Sequence, residues 1–146
     1  MRLVVDTSVL VGELLRASGR DRLGDDRLKP FLPERMWDEA KVAIPRRVRA
    51  FAHHRALDST LADLLTARCI EAVEANVAVL DEAIYSAIEE EARARSLRDP
   101  DDWPVVASAL ALTAGIWTND NDFLGTGVPT WTTDTLQSWL SRQPDR

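Results

Sequence analysis

Four carboxylates stand at the ends of apolar segments, and their type and placement suit the chemistry of a hard cation. Asp6 closes the run Leu3-Val4-Val5, and Glu39 lies in Met36-Trp37-Asp38-Glu39-Ala40. Asp102 opens Trp103-Pro104-Val105-Val106-Ala107, and Asp120 follows Ile116-Trp117-Thr118-Asn119. An acid at the end of a buried strand is costly unless positive charge meets it. Several acids gathered in one place repel one another, and purely oxygen donors call for Mg²⁺ or Mn²⁺. Asp6, Asp102 and Asp120 are therefore candidate metal ligands, and a cation held there would turn a water into a nucleophile at neutral pH. The chain offers no stronger nucleophile: it has no glycine-rich phosphate loop, no G-x-S-x-G elbow and no paired-cysteine zinc site.

These acids lie far apart along the chain, so the fold must gather them. Residues 2–6 read as a short buried strand and residues 8–17 as a helix with Val11, Leu14 and Leu15 on one face, capped by Thr7 or Ser8. Residues 18–32 hold Gly19, Gly24 and Pro30 and read as a loop with a short extended piece near Phe31-Leu32. A helix starts after Pro33 with apolar Trp37, Ala40, Val42 and Ile44, and Pro45 should kink or restart it. The clearest helix is 58–74, apolar at 61, 64, 65, 69 and 73, with Ser59 or Thr60 as its cap. A strand follows at 76–80, then a helix over 81–95 with Ile84, Ile88 and Ala92 as its stripe.

Asp99-Pro100-Asp101-Asp102 is a turn into a helix of residues 103–114, which tolerates Pro104 in its first turn and ends at Gly115. Strands at 116–118 and 129–131 and a closing helix from Thr132 to Leu140 complete the order. Strands alternating with helices predict an α/β fold, a three-layer α/β/α sandwich around a short, mainly parallel sheet. Such sheets bind ligands at the carboxyl ends of their strands, where Asp6 and the loop from Thr118 to Asp122 fall. A single domain over residues 1–146 is expected, with no internal repeat.

Composition narrows the function. Acids outnumber bases 24 to 18, a net charge of −6 that argues against broad nonspecific nucleic-acid binding. The densest basic stretch, Arg46, Arg47, Arg49 and Arg55 with Lys41 nearby, reads either as a solvated helix face or as a set of phosphate contacts. The lone Cys69 falls in a helical apolar pattern and reads as a buried thiol, which fits a reducing cytoplasm. No signal peptide is apparent and no apolar stretch is long enough to span a membrane.

Together the acidic segments resemble those of the PIN-domain family, the VapC-like ribonucleases, from Leu3 to about Leu140. Val4-Val5-Asp6-Thr7-Ser8-Val9-Leu10 is similar to that family's first motif, with Ser8 as the polar residue beside the first acid. Asp102-Trp103-Pro104-Val105-Val106-Ala107-Ser108-Ala109 is similar to its third-acid motif, and Thr118-Asn119-Asp120-Asn121-Asp122-Phe123 to its last, with Asp122 accessory. The family's second acid is a glutamate on an intervening helix, and Glu39 is assigned that place, with Glu34 and Asp38 close by. The resemblance implies cleavage of RNA with Mg²⁺ or Mn²⁺, catalysed by Asp6, Glu39, Asp102 and Asp120. It also implies homodimers and, for many members, a toxin paired with an antitoxin protein. Thr118 is placed either to hydrogen-bond a water of the site or to act as a plain strand residue.

Two other functions compete. A phosphatase of the haloacid-dehalogenase type also begins with a strand-terminal aspartate, but needs a second aspartate where Ser8 stands. An inert PIN-like module would bind without cutting, and four intact acids speak against it. Among the remaining residues, Trp117 and Trp139 sit in apolar patterns and read as core, whereas Trp103 and Trp131 flank the proposed site. His53-His54 could be a metal pair, but neighbours on a helix point apart, so solvent or packing roles are expected.

Overall fold

The computed structural model describes residues 1–143, and positions 144–146 of the expected single domain lie outside the described residues. Five parallel strands form the central sheet: β1 (Arg2–Val5), β2 (Lys29–Pro33), β3 (Ala78–Leu80), β4 (Gly115–Trp117) and β5 (Thr130–Trp131), in the spatial order β3-β2-β1-β4-β5. β1 lies at the centre because Leu3, Val4 and Val5 are apolar on both faces, and all three are fully buried. Its register pairs Val4 with Phe31 on one side and with Ile116 on the other.

Helices cover both faces of the sheet, giving the expected three-layer sandwich. On one side α1 (Thr7–Leu14), α2 (Ala17–Leu23), α3 (Glu34–His54) and α4 (Ser59–Asn76) pack together. On the other, α7 (Trp103–Leu112) lies against the sheet, with α5 (Glu82–Tyr85) and α6 (Glu89–Arg95) packed on it. α8 (Thr133–Leu140) closes the fold from a capping box between Thr132 and Thr135.

Several local expectations need correction. The segment read as a loop over 18–32 contains α2, and the extended piece expected near Phe31-Leu32 is the interior strand β2. Gly19 acts there as a contact point rather than a breaker, since a Cβ on it would stand 2.2 Å from the Glu13 carbonyl oxygen. β2 keeps its place between two neighbours despite Pro30 and Pro33 because Leu32 is fully buried. α3 runs unbroken through Pro45, held by the stripe Met36, Ala40, Ile44, Val48 and Ala52 on the core. Val42, expected on that stripe, is 72% exposed.

In α4 the buried positions are Ala62, Cys69 and Val73, while Leu61 and Leu64 face outward, and Asp58 rather than Ser59 or Thr60 caps the helix. The Cys69 thiol is buried as expected; its Sγ donates to the Leu14 carbonyl at 3.4 Å, and burial pushes its pKa up. The single helix expected over 81–95 is broken by a 3₁₀ turn at Ser86–Ile88, with Tyr85 buried and Ile84 exposed. Thr113, at φ 49°, ends α7 in a left-handed conformation, so Gly115 is free to begin β4. Trp117 is core as expected, and Trp103 joins it at 1% exposure, between the guanidinium groups of Arg35 and Arg93, each 5.3 Å from its ring. Trp139 is only part-buried and meets Trp131 edge-on at 6.3 Å. His53 and His54 are both exposed at the end of α3.

Candidate active site

The strand order brings the carboxyl ends of β1, β2 and β4 side by side. Asp6 follows β1, α3 carries Glu39 just after β2, and Asp120 lies in the loop after β4. Asp102, from the start of α7, joins them, and Asp6, Ser8, Glu39, Asp102 and Asp120 line one cleft of about 420 Å³. Asp99 and Asp101 extend its acidic wall. In the sequence these two belong to the turn before α7 and make the third-acid segment unusually rich in acid.

Asp6 is the most tightly held of the group. Its backbone N–H donates to the Trp117 carbonyl at 2.9 Å, continuing the ladder one step past the strand. Its Oδ2 accepts from Ser8 Oγ at 2.9 Å and from Thr118 Oγ1 at 3.0 Å. The Thr118 hydroxyl in turn accepts from the Asp120 backbone N–H at 2.9 Å. Thr118 is therefore more than a plain strand residue: it is buried and bonds to the Asp6 carboxylate and the Asp120 backbone.

Asp6 and Asp102 occupy the N-cap positions of α1 and α7, yet neither side chain accepts a capping hydrogen bond. An aspartate at that position ordinarily accepts from the backbone two or three residues on. Asp58, Asp81, Asp99 and Asp120 all make such local bonds, at 2.8–3.0 Å. The two uncapped acids instead present their carboxylates to the cleft. Thr7 Oγ1, also on the cleft wall, is buried without a hydrogen-bond partner among the described residues.

Electrostatics set Asp102 apart. Burial pushes its pKa up to about 7, and the charges of Asp99, Asp6, Asp120 and Asp122 add to the shift. The cleft thus holds more negative charge than it tolerates at neutral pH. Among the described residues no three carboxylate, imidazole or thiol groups converge into a ready-made metal site. The donors fit a hard divalent cation in kind: all are oxygens, Asp102 is destabilised as an anion, and Thr7 Oγ1 lacks a partner. An open, oxygen-lined cleft of this sort suits Mg²⁺, which keeps most of its waters and takes one or two carboxylates directly.

The rival second acids are placed elsewhere. Asp38 pairs with Lys41 at 2.7 Å, and Glu34 accepts from the Glu82 backbone N–H at 3.3 Å. Asp122 does not line the cleft; its carboxylate lies 3.5 Å from Arg98, and its N–H caps onto Asp120. Trp103 and Trp131 are likewise absent from the cleft wall.

A family model described as the PIN domain matches residues 4–141. No curated protein matches the sequence closely enough to count as a relative.

Proposed function

The chain belongs to the PIN-domain family, whose members are generally nucleases, and from that premise we propose that it is a metal-dependent endoribonuclease. The observation that carries this reading is the pair of acids, Asp6 and Asp102, that sit at helix starts without capping them and face Asp120 and Glu39 across one cleft. Asp6, Asp102 and Asp120 are its metal-holding residues, with Glu39 as the fourth acid.

A bound Mg²⁺ or Mn²⁺ would make a water more acidic and offset charge gathering on the phosphate. The protein's own residues do the remainder. Ser8 and Thr118 fix one oxygen of Asp6, so that its orientation costs nothing when RNA arrives. Asp102, whose pKa is raised to about 7, carries a proton about half the time at neutral pH and would release it when a cation is held there. Glu39 and Asp120 border the same space and can accept a hydrogen bond from the attacking water. That water adds to phosphorus, the bond to the leaving oxygen breaks, and the water's proton ends on the departing alcohol.

A toxin role with an antitoxin partner, and assembly as a homodimer, belong to the same proposal. The reduced, buried Cys69 suits a cytoplasmic setting, and no described helix is long and apolar enough to cross a membrane. A haloacid-dehalogenase-type phosphatase is disfavoured because Ser8, not an acid, lies beside Asp6 and bonds to it.

The test is the Asp6→Asn variant. It should fold with unchanged circular dichroism and lose cleavage of single-stranded RNA in Mn²⁺ by about 10³-fold or more, as loss of a preorganised charged group does. Cleavage at the parent rate would remove Asp6, and the metal-site reading with it.

A further inference from the structure

We infer that Arg46 and Arg47 hold the RNA phosphate next to the one being cut. The inference rests on the ribonuclease reading and adds to it the means by which the strand is registered in the cleft. Glu39, Ala43, Arg46 and Arg47 follow one another at helical spacing on one face of α3, and all four line the acidic cleft. The small side chain of Ala43 leaves space between the acid and the two guanidinium groups. α3 rises roughly 12 Å from Glu39 to Arg47, so the arginines stand at the rim rather than among the acids.

Their freedom is the second observation. Neither Arg46 nor Arg47 takes part in a salt bridge or side-chain hydrogen bond among the described residues. Of the neighbouring cations, Lys41 pairs with Asp38, Arg35 with Glu82 at 2.9 Å, and Arg55 lies over the Phe51 ring, whereas Arg49 is also unpaired among the described residues but does not line the cleft. Two guanidinium groups beside a negative cleft, with no carboxylate within salt-bridge distance, do not serve to neutralise it. They offer donors to an anion that enters from outside, and the planar fork of arginine matches a phosphodiester with two parallel hydrogen bonds. The phosphate under attack lies among the acids, so its neighbour along the strand is the one that reaches the rim. The basic stretch therefore divides: Arg46 and Arg47 are positioning residues, whereas Arg49 and Arg55 do not line the cleft.

The experiment uses Asp6→Asn protein, which leaves RNA uncut, and the fluorescence anisotropy of a short labelled single-stranded RNA at several salt concentrations. Arg46→Ala and Arg47→Ala should each weaken binding about fivefold and flatten the log–log salt slope by roughly 0.7, the value for one phosphate contact on a single strand. Arg47→Lys should keep the slope and recover part of the affinity, and Arg49→Ala should change neither. If Asp6→Asn protein binds RNA but the two alanine variants keep its slope, or if Arg49→Ala flattens it equally, the assignment is overturned. Failure of Asp6→Asn protein to bind RNA at all would overturn the ribonuclease reading itself, and this inference with it.

Discussion

Thr118 Oγ1 donates to Asp6 Oδ2 at 3.0 Å across 112 positions of sequence, joining the ends of the two central strands. The same hydroxyl accepts from the Asp120 N–H at 2.9 Å, so one buried side chain sets the positions of two cleft acids. Thr118→Val keeps the shape and removes both bonds. The expected cost is about 1–2 kcal/mol, because two hydrogen bonds are lost and a part-buried N–H gives up its partner. Cleavage should fall more steeply than stability, by tenfold or more, since catalysis depends on placement finer than 1 Å. Urea unfolding and RNA cleavage of the same preparation check both; a stability loss with full activity would sever the link between this hydroxyl and the site.

Asp102 makes stability depend on pH. Its folded pKa is about 7 against an ordinary 3.8, so folding favours the protonated form. The stability it contributes is fully present below 3.8 and is lost as pH rises through about 7. Asp102→Asn should therefore match the parent near pH 4 and exceed it at pH 8 without metal, by roughly 1–2 kcal/mol once solvent screening of the half-exposed group is allowed for. Millimolar Mn²⁺ should raise the parent's Tm at pH 8 and leave that of Asp102→Asn nearly unchanged. Differential scanning calorimetry with and without chelator reads both effects, and identical pH profiles for the two proteins would contradict the placement of Asp102.

Asp58, which caps a helix away from the cleft, and Asp6, which lines the cleft without capping, should separate in function. Asp58 accepts from the Leu61 N–H at 2.8 Å and caps α4, and it does not line the cleft. Asp58→Ala should cost about 1 kcal/mol and leave cleavage intact. Asp6→Asn should do the reverse. Thermal melts beside cleavage assays would show the crossing pattern, and a similar loss of both properties in both variants would remove the distinction.

That distinction also explains what could be read from the sequence. Asp6, Asp102 and Asp120 were legible because each interrupts or bounds an apolar run, a signal local to its own segment. Which aspartates cap their helices and which turn away was not, because Asp6 and Asp58 look alike until their surroundings are in place. Glu39 was named only with Asp38 and Glu34 beside it, since three acids within one and a half turns differ only in the face they occupy. β2 was obscured by Pro30 and Pro33, which argue against an interior strand, yet Leu32 and the neighbouring strands hold it there. At Pro45 the helix does not restart: the Met36-to-Ala52 stripe keeps α3 continuous. In α4, leucines at 61 and 64 suggested a stripe that burial of Ala62 displaces.

Two glycines near one corner give opposite expectations. Gly19 lies where α2 crosses α1; a Cβ there would meet Glu13 backbone atoms at 2.2, 2.6 and 2.7 Å. Backbone cannot rotate aside as a side chain can, so the helices would have to separate. Glu13 lies at that crossing, buried and paired with Arg22, which in turn bonds Gln137 of α8 at 3.0 Å. Separation would strain this chain of contacts, and Gly19→Ala should cost about 2–3 kcal/mol. Gly12, inside α1, would bring its Cβ no nearer than 3.6 Å to the flexible end of Arg16. Gly12→Ala should stabilise the protein by about 0.5–1 kcal/mol through helix propensity and lost chain entropy. Urea midpoints that move in opposite directions for the two variants are the expected result; a shift in the same direction would mean that the α1–α2 crossing is not the tight contact its geometry implies.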